Sequence, residues 1–305
     1  MFDLKKVLVV IDTDHETQLA LDRVVQLARL SDFEIRLISC DYSRYLVEGY
    51  YFDGIQIPEL RRGYLNERLE ALDALAKPLI DMGLTVQTEA MWGHPPFEAI
   101  VADVMSWQPD LVIHSARRHS KISRIFLSNE DWQLVRTCPA SLLLVKERPW
   151  SDEPIIIAAV DPKHSHGKPS GLDHKILSIA NELGDKVEGL VCIMHSYSEI
   201  PMSGTYPEQA SAEHKAAMDE LLADFEIPED RVYIVDESVE FALPELELDL
   251  QADLVVMGAV SRSRVKDVFI GNTAEKVLDY IESDVLVVKP DGFVCPIKSL
   301  DIQSL

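Results

Sequence analysis

Residues able to bind an anion are concentrated in one stretch of the second half of the sequence. A short apolar run, 254–257, ends at Gly258, and Gly271-Asn272-Thr273 precedes the next segment with a helical pattern. Glycines at such places let backbone N–H groups approach an anion, and Asn272 or Thr273 can cap the helix. The pattern favours a site for a small polyanion such as a di- or triphosphate. The loop between the two motifs adds three cations, which could instead pair with nearby carboxylates: Arg262, Arg264 and Lys266.

Ten short apolar runs, five in each half, predict the strands that position this stretch. They are rich in β-branched residues and bounded by polar residues, glycine or proline. They span 7–11, 34–39, 85–89, 111–114, 142–145, 155–160, 190–194, 232–235, 254–257 and 285–288. Amphipathic segments such as 16–30 and 59–82 lie between them. This alternation predicts an α/β fold, a mostly parallel sheet with helices on both faces, in which a ligand binds beyond the carboxyl ends of the strands.

The two halves of the sequence repeat each other. PDLVIHSA (109–116) matches ADLVVMGA (252–259), and RIFLSNEDWQLVR (124–136) matches DVFIGNTAEKVLD (267–279). The first copy of the basic loop carries Arg117, Arg118, Lys121 and Arg124. We therefore predict a duplicated five-stranded unit, with a first domain over 1–148, a second over 153–305 and a short linker between them.

The charge of the chain limits its partners. Its 305 residues include 29 basic and 52 acidic side chains, a formal charge of −23, and residues 151–305 carry 12 basic and 30 acidic of these, a charge of −18. Such a field repels phosphates, which argues against general affinity for nucleic acid or for an anionic membrane face. No apolar run approaches the roughly 20 residues that span a bilayer. The four scattered cysteines are typical of reduced thiols, so we expect a cytoplasmic protein.

These motifs together resemble the universal stress protein family, in its tandem form, over nearly the whole chain. The resemblance rests on the repeat and on IDTDHE, MWGHPPFEAIVADV, DWQLVRTCP with VKERPW, and FIGNTAEKVLDYIESDVLVVKPD. It implies two Rossmann-like domains with five-stranded sheets, and adenine-nucleotide binding, as in many members. It also implies an internal pseudo-dimer through the last strands, further pairing of some chains into a homodimer, and a role in resistance to stress, including DNA-damaging or oxidative conditions.

The resemblance also implies which residues would hold the nucleotide. The family's phosphate motif is Gly, two residues, Gly, nine residues, Gly, then Ser or Thr. The second copy keeps the outer glycines, Gly258 and Gly271, but has Ser261 at the middle position and Asn272 with Thr273 at the end. The first copy has none of the glycines, so we expect a degenerate motif there and a near-complete one in the second domain. The family's acidic residue beside the adenine corresponds to Asp161, with Asp12 as its first-domain counterpart, and the base pocket would be lined by Ala159, Met194 and Met257. For both aspartates, a local role in a turn stays open.

Signatures of catalysis are few. The sequence has no nucleophile elbow, no GxxxxGK[ST] loop and no HExxH. We therefore expect a binding and regulatory module rather than an enzyme, with weak ATP hydrolysis as an alternative. Another alternative is a carrier of an apolar or lipid-like ligand in the first domain, with the tyrosine-rich segment 41–54 as a lid.

The histidines leave further alternatives open. Zinc could be held by His164, His166 and His174, but histidines of this kind are more often solvated loop residues, so we predict no metal. His114 and His119 could sense pH or pair with an acid.

Overall fold

The computed structural model of the protein describes residues 4–15, 17–29, 31–42, 57–116, 127–163, 171–198, 207–259 and 277–297. They form two compact units. The N-terminal unit holds most of the described residues up to 145, together with 295–297. The C-terminal unit holds 146–294 as far as they are described, together with Ala116, Leu127 and Ser128.

The N-terminal unit is a five-stranded parallel sheet with the strand order β3-β2-β1-β4-β5. Its elements are β1 (Lys6–Val10), α1 (Leu19–Ala28), β2 (Glu34–Asp41), α2 (Ile57–Asp81), β3 (Thr85–Trp92), α3 (Pro96–Trp107), β4 (Leu111–Ser115), α4 (Asn129–Thr137) and β5 (Ser141–Val145).

The C-terminal unit repeats this order as β8-β7-β6-β9-β10, again with parallel pairing throughout. Its elements are β6 (Ile155–Ala159), α5 (Gly171–Val187), β7 (Leu190–Tyr197), α6 (Pro207–Leu222), a short 3-10 helix (Glu229–Arg231), β8 (Val232–Asp236), α7 (Val239–Leu250), β9 (Leu254–Gly258) and β10 (Asp284–Val288). The predicted fold class of two Rossmann-like domains is confirmed, as are all ten predicted strands.

Equivalent hydrogen bonds show the duplication at the level of single atoms. The Oδ2 atom of Asp110 accepts the backbone N–H groups of Lys5 and Lys6 at 2.8 and 2.9 Å. In the second copy, Asp253 accepts those of Ser151 and Ile155, both at 3.0 Å. Each aspartate therefore fixes the chain at the start of the first strand of its unit. This role accounts for the same residue type 143 positions apart.

The long helix α2 buries less than its leucine pattern predicts. Of its apolar stripe only Leu72, Ala76 and Leu79 are buried, whereas Leu65, Leu69 and Leu75 are half-buried. The helix packs on β3 and β2, and β3 is an edge strand of the sheet. Among the described strands none pairs with β3 on its other side, and these leucines of the helix that covers it stay partly open to water.

Candidate functional site

Three of the sequence-predicted pocket residues lie in one row across the carboxyl edge of the C-terminal sheet. Ala159, the last residue of β6, is in register with Met194 on β7 and with Met257 on β9. Residues in register on parallel strands project from the same face. Met194 is 1% exposed, and Ala159 and Met257 are half-buried. The accessible part of the row is therefore the thioether of Met257 beside the small Ala159, a surface on which a flat apolar group can pack, and Met194 is its buried end.

Gly258 follows Met257 and projects to the other face, where α5 packs against the sheet. A Cβ atom at this position would lie 2.7 Å from Cδ2 of Leu172 and 3.3 Å from Cδ1 of Ile176. Leu172 is almost fully buried, so it has little room to move. The close approach of α5 is therefore sufficient reason for a glycine here, and the sequence argument, which considered only an anion, missed it.

The turn that follows β6, residues 160–163, is fixed by both neighbouring helices. The backbone N–H of Asp161 donates to Oδ1 of Asp173 in the first turn of α5, at 3.1 Å. The Nζ atom of Lys163 lies 3.0 Å from Oε2 of Glu213 on α6. Asp161 itself is partly exposed at the edge where the row of Met194 and Met257 ends. The remaining predicted phosphate residues lie outside the described part of the chain, as do the basic loops: Ser261, Gly271, Asn272, Thr273, Arg262, Arg264, Lys266, Arg117, Arg118, Lys121 and Arg124.

A buried pair of histidines, which the sequence analysis did not identify, stands beside this edge. His195, the residue after Met194, has its Nε2 atom 2.8 Å from Nδ1 of His214 on α6. Its Nδ1 atom lies 3.2 Å from the carbonyl oxygen of Val160, and the two rings are 1% and 3% exposed. Burial lowers the pKa of His195. The ring of Tyr197 stacks on His214 at a centroid distance of 4.0 Å. Two single histidines on separate elements give no pairing signal in a sequence.

The equivalent edge of the N-terminal unit differs in its chemistry. The register row there is Val10, Ile38 and His114 in place of the alanine and the two methionines. The Nε2 atom of His114 lies 2.7 Å from Oδ1 of Asp131 in the first turn of α4. Of the two roles left open for this histidine, pairing with an acid is therefore confirmed. His119 lies outside the described residues.

Carboxylates crowd this N-terminal edge. Burial raises the pKa of Glu130, and the neighbouring carboxylates raise it further, whereas His114 opposes the shift; these neighbours are Asp131, Asp12 and Asp41. Burial together with Glu130 and Asp41 raises the pKa of the Cys40 thiol to about 12. The edge thus disfavours additional negative charge, and Cys40 is held as a thiol.

Arg68 is bound to acids at this edge, and the first aromatic residue of the proposed lid is packed. Arg68 on α2 reaches Oδ1 of Asp14 at 2.6 Å and Oδ2 of Asp41 at 3.4 Å. The ring of Tyr42 stacks on His94 at 4.0 Å. Residues 43–54 of the tyrosine-rich segment lie outside the described ranges.

Of the three histidines considered for zinc, only His174 lies in the described ranges. His174 is exposed on α5, and its ring lies 5.7 Å from that of Phe225. His164 and His166 are outside the described residues. Among the residues that are described, no group of three or more His, Cys, Asp or Glu side chains is arranged to hold a metal ion. No helix in the same ranges is long and apolar enough to cross a membrane.

Comparison with known proteins finds the same duplication elsewhere. A model of the universal stress protein family matches residues 3–146 and 156–289. Universal stress protein E of Photorhabdus laumondii is 28% identical over 315 residues, which are 98% of this chain and 99% of that protein. Universal stress protein E of Escherichia coli K12 is 28% identical over 309 residues, 96% of each chain.

Solved structures agree with these sequence relatives. A structure from Pseudomonas aeruginosa UCBPP-PA14, described as a universal stress protein, superposes with a TM-score of 0.77 at 27% identity and covers 95% of both chains. A universal stress protein from Archaeoglobus fulgidus shares the fold at 16% identity, with a TM-score of 0.63. The likeness therefore extends over both units and is not confined to one of them.

Proposed function

This chain belongs to the universal stress protein family as a two-domain member of the universal stress protein E type, and we propose that its C-terminal unit binds ATP or a related adenine nucleotide. The observation that carries the proposal is the row of Ala159, Met194 and Met257 at the carboxyl edge of the sheet, with Asp161 on the adjoining turn. In parallel α/β sheets this edge is where nucleotides bind.

In this proposal the base packs on Ala159 and Met257, with Met194 as the buried end of the row, and the carboxylate of Asp161 lies beside the adenine. Thioethers are polarisable and adapt to the face of an aromatic ring. The phosphates are assigned to the stretch that begins at Gly258 and includes Ser261 and Gly271-Asn272-Thr273. Backbone N–H groups at the start of a helix suit this role. The serine adds a Cβ atom where the family has glycine, so we expect weaker binding than in members that keep the glycine.

The N-terminal unit is proposed to have lost the nucleotide site and to act as a structural partner. The positions that match Thr273 and Ala274, 143 residues earlier, are Glu130 and Asp131. Both stand in the first turn of α4, where a phosphate would have to bind, and Glu130 lies among further carboxylates. These carboxylates would repel a phosphate bound there. The proposal is therefore one nucleotide site for each chain.

The biological role that follows is regulatory. We propose a binding module in resistance to stress, including DNA-damaging or oxidative stress, in which nucleotide occupancy is the signal. Weak ATP hydrolysis is the alternative within this role. An apolar ligand in the N-terminal unit is less favoured, because the described part of that edge is lined by acids such as Asp41 and Glu130.

Calorimetry of the full chain with ATP and Mg²⁺ tests the proposal, and the repeat supplies matched controls. Gly271→Glu places a charged side chain in the assigned phosphate loop, and Ser128→Glu makes the same change at the equivalent position of the first copy. We expect the first variant to lose binding by at least tenfold and the second to bind as the unaltered protein does. Asp161→Asn and Asp12→Asn form a second pair of the same kind. Absence of saturable binding to the unaltered chain refutes the proposal.

A further inference from the structure

The nucleotide site proposed above leaves the buried histidines His195 and His214 without a role. They connect α6 to the turn that carries Asp161. The first link runs from Nδ1 of His214 to Nε2 of His195 at 2.8 Å, and from Nδ1 of His195 to the carbonyl of Val160 at 3.2 Å. The second link is the ion pair of Glu213 with Lys163. The turn is therefore tied to α6 on both sides of Asp161.

The partners of the two rings fix where the protons are. A carbonyl oxygen only accepts hydrogen bonds, so Nδ1 of His195 must carry its hydrogen and donate it to Val160. If the ring is neutral, Nε2 of His195 is then an acceptor, and Nδ1 of His214 must donate to it. Both rings are satisfied in this arrangement with one hydrogen each, and both hydrogens point along the chain of bonds toward the turn.

Other charged groups act on the pair from each packed element. His195 is influenced by Asp161 on the turn and Asp173 on α5, which favour its charged form, and by His214, which opposes it. Glu213, beside His214 in sequence, is held by Lys163. Burial is the largest influence on His195 and favours its neutral form. The closed arrangement is thus built for uncharged imidazole at position 195.

Protonation of both rings is incompatible with this geometry. A first proton can be accommodated, because His214 can carry its hydrogen on Nε2 and accept on Nδ1 from a protonated His195, although the charge is then buried. A second proton gives His214 a hydrogen on Nδ1 as well, and this hydrogen faces the one on Nε2 of His195 across 2.8 Å. Two donors cannot share that distance, so the rings must separate, which breaks the connection that runs from α6 through His195 to Val160.

We propose that the His195–His214 pair is a proton-sensitive latch that holds the turn 160–163 against α6, and that protonation of the latch lowers the affinity of this edge for nucleotide. The statement on affinity rests on the proposed function, whereas the latch does not. The sign follows from linkage. The open form binds protons more readily, so the closed form is favoured above about pH 6.5 and loses stability as the pH falls. Because two protons are taken up, the loss is at most about a hundredfold for each pH unit.

Hydrogen exchange of the full chain without nucleotide tests the latch. After correction for intrinsic rates, we expect the protection of α6 to fall at least fivefold between pH 7.5 and pH 5.5, while that of β9 changes little. His214→Phe keeps a ring stacked on Tyr197 but removes the donor, so α6 is weakly protected at both pH values. His214→Asn keeps a group that can donate or, after rotation, accept, and this group cannot be protonated, so α6 stays protected at both pH values. His174→Gln, a change at an exposed histidine, behaves as the unaltered chain does.

Calorimetry with ATP at the same two pH values tests the effect on affinity. We expect about tenfold weaker binding at pH 5.5 for the unaltered chain and for His174→Gln, and a much smaller change for His214→Asn. The protonation of ATP itself is common to all of them, so the difference between the proteins isolates the latch. Equal pH dependence in the unaltered chain and His214→Asn overturns the proposal, and so does pH-independent protection of α6. If no ATP binds at pH 7.5, the proposed function fails and hydrogen exchange alone decides the latch.

Discussion

Replacing Gly258 by alanine measures how closely β9 must approach α5. The new Cβ atom would lie 2.7 Å from Cδ2 and 3.1 Å from Cγ of Leu172. Both distances are far below ordinary carbon contacts of 3.5–4.0 Å, and Leu172 is almost fully buried. Either α5 shifts or Leu172 leaves its preferred rotamer. Overpacking of this kind costs about 1–3 kcal/mol, so we expect the C-terminal unit to lose about 2 kcal/mol of its unfolding free energy.

The loss of unfolding free energy is measured by urea unfolding, with hydrogen exchange of β9 and α5 reporting on the C-terminal unit. Gly63→Ala is the matched control, because a Cβ atom at that position in α2 has no heavy atom within 4 Å. Alanine is the better helix former, so the control should gain up to about 1 kcal/mol. A loss below about 0.5 kcal/mol for Gly258→Ala would refute the packing argument and return this glycine to a role in ligand binding alone.

Three further predictions concern Lys146, Asp253 and Cys40. Lys146 is 1% exposed, its Nζ atom donates to the carbonyls of Leu278 and Ile281, and burial lowers its pKa to about 8. The unfolded chain holds this proton up to about pH 10.4. Relative to Lys146→Met, the unfolding free energy should therefore rise by about 3 kcal/mol between pH 8 and 10.5. A difference between the two proteins that does not change with pH would contradict the lowered pKa of Lys146. Asp253→Ala should cost about 2–4 kcal/mol in urea unfolding, because it removes three hydrogen bonds at a buried carboxylate, whereas Asp110→Ala at the exposed equivalent should cost less than half of that. Cys40, whose pKa is raised to about 12, should react with iodoacetamide at pH 8 roughly a thousandfold more slowly than an ordinary thiol, as followed by peptide mass spectrometry. Labelling at the ordinary rate would contradict the raised pKa.

The strands and their duplication were predictable from the sequence because each depends on local patterns. The runs at 254–257 and 285–288 are apolar and β-branched over their whole length, as buried parallel strands require. The matches at a spacing of 143 have structural reasons that can be named. Asp110 and Asp253 accept backbone hydrogen bonds at the start of the first strand of their units. Gln108 and Gln251 both adopt the left-handed conformation at the end of α3 and α7.

The candidate site was predictable only where several of its residues follow from strand register. Ala159, Met194 and Met257 lie together because they are in register on three neighbouring strands. The packing demand on Gly258 was not predictable, since a sequence does not give the distance between a strand and a helix. The pairing of His195 with His214 depends on how α6 lies against β7, a contact between elements that no spacing along the chain encodes.

Native mass spectrometry counts the adenine nucleotides bound to each chain, for which we propose a single site in the C-terminal unit. The protein is sprayed from a volatile buffer at neutral pH after incubation with ATP, beside Gly271→Glu and Ser128→Glu. We expect one added nucleotide mass for each unaltered chain and for Ser128→Glu, and none for Gly271→Glu. Two nucleotides for each chain, a nucleotide lost only in Ser128→Glu, or a co-purified lipid in place of any nucleotide would contradict this proposal.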